Sequence, residues 1–376
     1  MRPAAAALGL LVAVGLAATG CSAASTASHC STLPPPRASP ADDVRERGLH
    51  VGFEDLDRSP GELADLDARM RRAGIDTVAI SAGRADWTAF PWPGHEDAWS
   101  TPVRGGGRDL FADAVAALGA GRRVAAVVDV LADRYVAAHP TLAARDPHGR
   151  PVASHVSTVE LVEGEAGRRL LAMVDHVART YPVDAIDVTE LFYRDEGYGD
   201  DDLASYRART GRADWPRAAD GGVDTADPSI GRWRSEMVAR FVARAAEVAH
   251  AQGKDLLVDV RPSWSDLARE GEESGQCYRM LLSHADRLVV WNYFALDGVP
   301  VSETDRLAAY LQDLAPGRFV AGAGLWGRGA TVPPEQLADA LTRTERAGLP
   351  AQWVIPQSLL QDAHWRVLDR LWGPAP

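Results

Sequence analysis

Short apolar runs alternate with amphipathic stretches along this chain from residue 48 onward. Within the amphipathic stretches, apolar residues recur every three to four positions, which is the spacing of a helix with one buried face. The apolar runs predict eight strands, at residues 49–53, 77–81, 124–130, 185–189, 256–260, 288–291, 319–322 and 352–355. Helices are predicted at 59–73, 110–118, 167–180, 235–251, 305–314, 334–347 and 362–371.

This alternation determines the predicted fold class. Near-continuous apolar strands separated by helices indicate a parallel sheet with helices covering its outer face, and eight such units close into a barrel. We therefore expect an α/β protein with a single (β/α)8 TIM-barrel domain over residues 48–376. A doubly wound open sheet is the structural alternative, but the first strand is followed by GFEDLDRSP and not by a glycine-rich phosphate loop.

The fourth predicted strand carries the most informative chemistry. In the sequence VDAIDVTELFY, at residues 183–193, Asp187 and Thr189 alternate with two apolar residues and therefore share one face of the strand. Glu190 stands where the strand ends. Because TIM barrels place their chemistry at the carboxyl ends of their strands, these acids are expected at an active site.

The N-terminus has the composition of an export signal. Residues 1–21 contain an arginine, an apolar run and the sequence ATGC, which resembles a bacterial lipobox ending at Cys21. Lipidation of Cys21 is expected, and the alternative is ordinary cleavage with Cys21 unmodified. Residues 22–47, rich in Ser, Ala, Thr and Pro, are predicted to be a flexible tether. The protein would then be exported, either lipid-anchored on the outer face of the cell membrane or secreted.

Two cysteines remain once Cys21 is assigned to lipid. Cys30 and Cys277 are an even number in a compartment that tolerates disulfides, so they either bridge the N-terminal arm to the domain or stay unpaired.

The formal net charge of −12 argues against nucleic acid or an anionic membrane surface as partner. No His-x-x-x-His or Cys-x-x-Cys spacing occurs, so no metal and no cofactor are predicted. The acidic run at residues 195–202 could bind calcium, but its spacing matches no EF-hand loop, and a solvated loop leading into a helix is expected. The protein is expected to be a monomer, attached to a membrane only through its lipid.

Three carboxylates are the catalytic candidates. Glu190 is proposed as an acid because the apolar residues after it would raise its pKa, and the alternative is a solvated side chain at a strand end. Asp187 and Asp259 are its candidate partners. Asp259 shares a strand face with Arg261, and the two could instead form a structural ion pair.

Residues near the predicted strand ends are the candidates for substrate binding. Aromatic faces there suit stacking on sugar rings, and polar side chains could bond hydroxyl groups, although core packing is the default for any single aromatic and burial for a lone histidine. The predicted set is His50, Glu54, Arg84, Trp87, Asp129, Arg261, Trp264, Trp291, Asn292, Tyr293, Trp326 and Gln357, and Trp353 also falls at a strand end.

Four stretches carry a resemblance to a known group of proteins. They are GIDTVAIS at residues 74–81, RRLLAMVDHVARTYPVDAIDVTELFY at 168–193, GYGDDDLASYRARTG at 197–211 and WNYF at 291–294. Together they resemble the glycosyl-hydrolase-like TIM barrels, in particular the family-10-like glycosidases of bacterial envelopes. In those relatives the fourth strand commonly reads DGIHLD, and Thr189 here stands where the usual Asp stands.

A weaker similarity runs to the family 18 chitinases, whose fourth strand has the pattern DGxDxDxE. Asp184 and Asp187 match its first two acids, but Thr189 replaces the third and Glu190 comes one position early. Because a shift of one residue points a side chain to the opposite face of a strand, the chitinase mechanism is not carried over.

The resemblance and the carboxylates together imply a glycoside hydrolase that cleaves an envelope or extracellular polysaccharide. Such cleavage needs one carboxylic acid to protonate the leaving oxygen and one carboxylate to attack the sugar or activate water. The alternative is a barrel that only binds a polysaccharide, which Thr189 favours. A scaffold that contacts other envelope proteins is a third class.

Overall fold

Eight parallel strands form a closed barrel in the computed structural model, which describes residues 28–37 and 45–374. Neighbours in the chain are neighbours in the barrel, and β1 pairs with both β2 and β8, which closes the ring. The predicted TIM barrel is therefore confirmed and the open sheet is wrong. The strands are β1 Glu46–Val51, β2 Thr77–Arg84, β3 Arg123–Asp129, β4 Ala185–Thr189, β5 Asp255–Val260, β6 Arg287–Asn292, β7 Phe319–Gly324 and β8 Ala351–Ile355.

One helix follows each strand and covers the outside of the barrel. The first begins at the predicted N-cap Ser59, which forms a capping box with Glu62, and Pro60 occupies its first turn. The helices are α1 Pro60–Arg72, α2 Leu110–Leu118, α3 Glu165–Thr180, α4 Pro228–Ala251, α5 Tyr278–Leu281, α6 Glu303–Leu314, α7 Pro334–Arg346 and α8 Asp362–Trp372. Among the described residues, no helix has the length and hydropathy needed to span a membrane.

Shorter elements lie in the connections. Residues Ala143–Arg145 and Pro151–Val156 pair as a hairpin after β3, and Trp87–Thr88 pairs with the end of β2. Additional helices in the described chain include His29–Thr32, Thr101–Gly106, Asp133–Ala138, Thr158–Glu163, Asp200–Thr210 and Phe294–Asp297. The helix Asp200–Thr210 takes in the end of the acidic run, as the sequence predicts.

Small and apolar side chains fill the barrel interior below the carboxyl ends of the strands. They include Ala79, Ala125, Ala185, Leu257, Val289, Val320 and Trp353. Gly48 lies opposite Trp353 in the register of β1 and β8, and a Cβ at Gly48 would overlap the indole ring. The Trp353 N–H donates to Glu46 Oε1 at 2.6 Å, and Glu46 also pairs with Arg287. These side chains fill this end of the barrel, and Trp353 also forms part of the floor of the cavity at the carboxyl ends of the strands.

The N-terminal arm at residues 28–37 contacts the barrel, although the sequence assigned it to a flexible tether. A disulfide joins Cys30 to Cys277, with 5.6 Å between their Cα atoms. Ser28 also donates to Glu272 at 2.5 Å. The predicted signal peptide, the lipidation at Cys21 and the first part of the tether lie outside the described residues.

Candidate active site

An open cavity of about 380 Å³ lies at the carboxyl ends of the strands, where (β/α)8 barrels place their chemistry. Polar groups and aromatic rings line it together. The polar lining is His50, Glu54, Ser81, Arg84, Asp129, Asp187, Thr189, Glu190, Asp259 and Arg261. The apolar lining includes Phe53, Leu131, Trp291, Tyr293, Leu296, Trp326, Trp353 and Ile355.

Four carboxylates from three adjacent strands meet in this cavity. Asp129 ends β3, Asp187 lies on β4 and Glu190 follows it, and Asp259 lies on β5. The alternation of side chains along β4 explains the arrangement, since Asp187 points inward and its apolar neighbours point toward the helices. Acids that are far apart in the sequence are thus held side by side.

Asp187 and Asp259 are neighbouring carboxyls with exposed fractions of 2% and 8%. Burial, followed by the charge of Asp259, raises the pKa of Asp187 well above its usual range. Burial also raises the pKa of Asp259 to about 7, and the Thr189 hydroxyl, which donates to Asp259 Oδ2 at 2.6 Å, opposes that rise. Burial thus raises the pKa of both carboxyls, and the hydrogen bond from Thr189 favours the ionised form of Asp259.

Glu190 lies at a sharp change of backbone direction. Its φ of 59° falls in the left-handed region, which costs a non-glycine residue about 1 kcal/mol and is concentrated at functional sites. Burial, followed by the charge of Asp129, raises the pKa of Glu190 to about 7, and Arg261 opposes the rise. The side chain is therefore partly protonated at neutral pH and can donate a proton into the cavity.

Asp129 is held by one cation and one backbone group. Its Oδ2 lies 3.5 Å from Arg84 Nε, and its Oδ1 accepts a hydrogen bond from the Leu131 N–H at 2.7 Å. Burial raises the pKa of Asp129 to about 6, and the charge of Arg84 opposes this. Arg84 also pairs with Asp133 at 3.1 Å, so its charge is shared between two carboxylates.

Arg261 does not form the predicted ion pair with Asp259. Its guanidinium lies over the Phe192 ring, 3.9 Å from the centroid, and 5.0 Å from the Trp291 centroid. In the described part of the chain no carboxylate lies within ion-pair distance of it. The planar cation is therefore held by aromatic faces at the edge of the cavity.

Aromatic rings form one wall of the cavity. Trp291 and Tyr293 stack with 4.9 Å between centroids and 6° between planes, and Trp326 lies 5.2 Å from Tyr293. A Cβ at Gly324 would overlap the Tyr293 ring, so this glycine makes room for the wall. Trp326 is 37% exposed at the rim, which leaves an apolar face open to a ligand.

Solved structures share this barrel over most of its length. The PgaB (BpsB) glycoside hydrolase domain of Bordetella bronchiseptica aligns with a TM-score of 0.67 and 17% identity, covering 89% of this chain and 100% of that one. The β-amylase catalytic domain of Paenibacillus polymyxa aligns with a TM-score of 0.61 and 10% identity, covering 86% of this chain and 97% of that one. The β-galactosidase of Marinomonas ef1 aligns with a TM-score of 0.64 and 13% identity, covering 87% of this chain and 59% of the enzyme.

The chain has the fold of glycoside hydrolase barrels. No protein-family model and no curated protein matches it, so the finer resemblance to family-10-like glycosidases stays a prediction. At identities below one fifth, the structural similarity establishes the barrel and leaves the chemistry to the residues of this chain.

Within this barrel, two predicted residues lie at the edge of the carboxylate cluster. His50 contacts Ser81 Oγ at 3.3 Å, and burial lowers the pKa of His50 to about 4, which keeps the ring neutral. Glu54 lines the rim and accepts a hydrogen bond from Ser358 at 2.8 Å. Both can offer polar contacts to a ligand.

Four predicted binding residues lie outside the cavity lining. Asn292 is wrongly placed by the prediction, because it points outward from β6 and is buried against Thr304. Gln357 is likewise buried, where it accepts a hydrogen bond from Arg58 at 2.7 Å.

The other two are tryptophans. Trp87 packs edge-on against Phe53, with 4.8 Å between centroids. The Trp264 N–H donates to Asp297 at 2.7 Å. These indoles support neighbouring loops, and neither faces the four carboxylates.

The Phe192 ring carries Arg261, a role that its position in the sequence does not indicate. His155, on the hairpin after β3, is likewise absent from the predicted residues; it packs edge-on against Phe192, with 5.9 Å between ring centroids. Burial lowers the pKa of His155 to about 4, so it packs as a neutral ring. A contact between two long connections has no periodic signal in the sequence.

One group of side chains in the described chain has metal-ligand spacing, formed by Cys30, Glu270 and Cys277. Its two sulfur atoms are bonded to each other, so they are not available as thiolate ligands. Glu270 pairs instead with Arg279 at 2.9 Å.

Proposed function

We propose that the protein is a glycoside hydrolase that cleaves an envelope or extracellular polysaccharide. The observation that carries this proposal is the pair formed by Glu190 and Asp259, two carboxyls with pKa values near 7 that line one open cavity. Glycosidic cleavage needs such a pair, one protonated and one ionised. The similarity in fold to glycoside hydrolase barrels supports the same conclusion.

In the proposed mechanism Glu190 is the general acid. Its proton passes to the glycosidic oxygen as the bond to the anomeric carbon breaks, and the leaving sugar departs as an alcohol. Asp259 supplies the negative charge on the other side of the bond, either by attacking the anomeric carbon or by taking a proton from the attacking water. Asp187 is the buried neighbour of Asp259, and burial raises its pKa well above its usual range.

The aromatic wall is the proposed sugar platform. Pyranose rings have apolar faces that stack on indole and phenol rings and hydroxyl edges that need polar partners. Trp326 and Tyr293 offer the faces, and Asp129, Arg84 and Arg261 offer the polar contacts.

A non-catalytic polysaccharide-binding barrel is the second candidate. Thr189 favours it, because this threonine occupies the position of an acid in the resembled families and bonds to Asp259. In that case the cavity would bind the same class of ligand without turnover.

The proposed location is the outer face of the cell membrane, through lipid on Cys21, or the extracellular space. The apolar run before Cys21 and the proline-rich segment after it support this proposal. Mass spectrometry of the mature N-terminus tests it, since a lipidated Cys21 and an unmodified one differ by the mass of the acyl chains.

Replacing Glu190 by Gln tests the catalytic proposal. Wild type and E190Q are incubated with a panel of bacterial polysaccharides, and new reducing ends are measured. We expect turnover to fall by about 100-fold or more in E190Q because the general acid is lost. Affinity for oligosaccharide fragments, followed by tryptophan fluorescence of the aromatic wall, is expected to be retained.

Glu247→Gln is the matched control, since Glu247 is exposed on the outer helix α4. It makes the same chemical change far from the cavity and should keep wild-type turnover. Binding of fragments without release of reducing ends by the wild type would overturn hydrolysis and support the binding barrel.

A further inference from the structure

Gln276 is a buried amide between the ends of β4 and β5, the two strands that carry the proposed acid and base. It is 1% exposed and does not line the cavity. Its Nε2 donates to Leu191 O at 3.0 Å and to Asp259 O at 3.2 Å. Its Oε1 accepts from the Arg261 N–H at 2.9 Å. One side chain therefore connects the backbone next to Glu190 with the backbone of Asp259.

These bonds begin where the strand pairing stops. The register of β4 and β5 ends at Val188 and Val258, below the level of Glu190 and Asp259. Above it, the carbonyls of Leu191 and Asp259 share a single donor group, and a buried carbonyl without a donor would be costly. The Gln276 amide thus takes the place of a peptide group in the next rung of the ladder.

The backbone of Gln276 is itself fixed. Its N–H donates to Gly271 O at 2.8 Å and its carbonyl accepts from the Gly271 N–H at 3.1 Å. A Cβ at Gly271 would lie 2.7 Å from Gln276 Cβ, so glycine is needed for this close approach. Two residues before Gln276, Ser274 O accepts the Tyr193 N–H at 3.0 Å, which adds a second bond to the segment after β4.

The residue after Gln276 is Cys277, which is linked to Cys30 on the N-terminal arm. The arm adds hydrogen bonds from Ser28 and from the His29 N–H to the Glu272 carboxylate, at 2.5 and 3.2 Å. The arm therefore attaches from outside the barrel to the segment that holds Gln276.

We propose that Gln276, held in place by the disulfide-anchored arm, is a positioning residue that fixes the spacing between Glu190 and Asp259. This inference rests on the proposed function, because the spacing of the two carboxyls matters only if they act on one bond. A displacement of about 1 Å in such a pair can cost about 100-fold in rate. Gln276 makes no hydrogen bond to the rings of the aromatic wall, so the stacking of substrate on Trp326 and Tyr293 is expected to stay.

The test compares Gln276→Met with wild type in the full chain. Methionine has a similar length and removes all three hydrogen bonds. We expect kcat to fall by about 10- to 100-fold while KM changes by less than about threefold. The basic limb of the pH profile, which follows Glu190, should move as well, since its position depends on how this carboxyl is held.

Thr304→Val is the matched control, because it removes a buried hydrogen bond to Asn292 behind the barrel wall. A similar loss of thermal stability with unchanged kcat is expected for it. Gln276→Glu is the second variant should the methionine variant fail to fold; as a buried neutral acid it keeps an acceptor for the Arg261 N–H and only one of the two donations, so a smaller fall in kcat in the same direction is expected.

The outcomes separate the two proposals. If the wild type hydrolyses a polysaccharide and a folded Gln276 variant keeps its kcat and pH profile, the positioning role is overturned and the proposed function stands. If the wild type shows no turnover on any polysaccharide, the proposed function fails, and the positioning role fails with it.

Discussion

Thr189 lies between two of the carboxylates in the cavity, Asp129 and Asp259. It is in register with Asp129 on β3, and its hydroxyl donates to Asp259 Oδ2 on β5 at 2.6 Å. A threonine at this position therefore gives the cavity a hydroxyl donor where an acidic residue would add a fifth carboxylate to Asp129, Asp187, Glu190 and Asp259. The donor stabilises the ionised form of Asp259.

Replacing Thr189 by Val is expected to raise the pKa of Asp259 above about 7, because a hydrogen bond to the ionised form is lost. More of the proposed base is then protonated below neutral pH. We expect kcat/KM at pH 6 to fall about tenfold, the equivalent of roughly 1.4 kcal/mol, with a smaller loss at pH 8. The pH profile of kcat/KM measures this.

Thr189→Ser is the control, since it keeps the hydroxyl and removes only a methyl group. The acidic limb of its pH profile of kcat/KM should lie at the wild-type position. An acidic limb that does not move in the valine variant would show that Asp259 does not control it.

Arg261 is expected to determine the position of the basic limb of the pH profile of kcat/KM. Its charge lowers the pKa of Glu190, so Arg261→Gln should raise that pKa and keep the acid protonated to higher pH. The basic limb of kcat/KM should therefore move upward. Arg261→Lys keeps the positive charge and should leave the limb near its wild-type position. A downward movement in the glutamine variant would contradict the assignment of Glu190 as the acid.

The barrel could be predicted from the sequence because its pattern is local. Each strand is a short apolar run, and the parity of residues along β4 placed Asp187 and Thr189 inward as expected. The same parity rule explains the misplaced Asn292, since its neighbours Trp291 and Tyr293 both face the interior. Applied to β6, it would have placed this amide on the outer face.

The contacts that hold the site could not be predicted in this way. Gln276 is 85 positions from Leu191 in sequence and lies in a segment without regular periodicity. The attachment of the arm at residues 28–37 depends on a disulfide that the sequence allowed and did not determine. Such contacts depend on how long connections fold over the barrel, and neither alternation nor helical spacing encodes that.

Trp326 is the residue on which the proposed sugar platform is most easily tested. Its ring is 37% exposed at the rim and lies beside Tyr293, and a stacked sugar would lose about 1 kcal/mol of contact on its removal. We expect Trp326→Ala to raise KM about fivefold with unchanged kcat. Trp326→Phe keeps a flat ring and should recover most of the affinity. Unchanged KM in the alanine variant would place the substrate elsewhere.

Asp202 lies outside the cavity, and its burial predicts how the free energy of unfolding depends on pH. It is fully buried in the helix Asp200–Thr210, where Oδ1 accepts from the Val159 N–H at 3.1 Å and Oδ2 has no partner. Burial, followed by the charge of Asp201, raises the pKa of Asp202 to about 7. The folded protein therefore holds a proton between about pH 4 and 7 that the unfolded chain has released.

Because the folded protein binds this extra proton, the stability falls as the pH rises. The contribution of Asp202 to stability is fully present below about pH 4, falls as the pH rises and is lost above about pH 7. Asn at this position keeps the acceptor and cannot ionise. Asp202→Asn should therefore be more stable than wild type at pH 8, by on the order of 1–3 kcal/mol relative to the difference at pH 4.5.

Urea unfolding at pH 4.5 and at pH 8 measures the difference in free energy of unfolding between the variant and the wild type at each pH. The contributions of the other titrating groups are the same in both proteins and cancel in this difference. Asp200→Asn changes an exposed residue in the same helical turn and should show no such change between the two pH values. If Asp202→Asn loses the same stability at both pH values, the buried carboxylate is not destabilising when charged. The charge of Arg234, which lowers the pKa of Asp202, would then be the compensating positive charge.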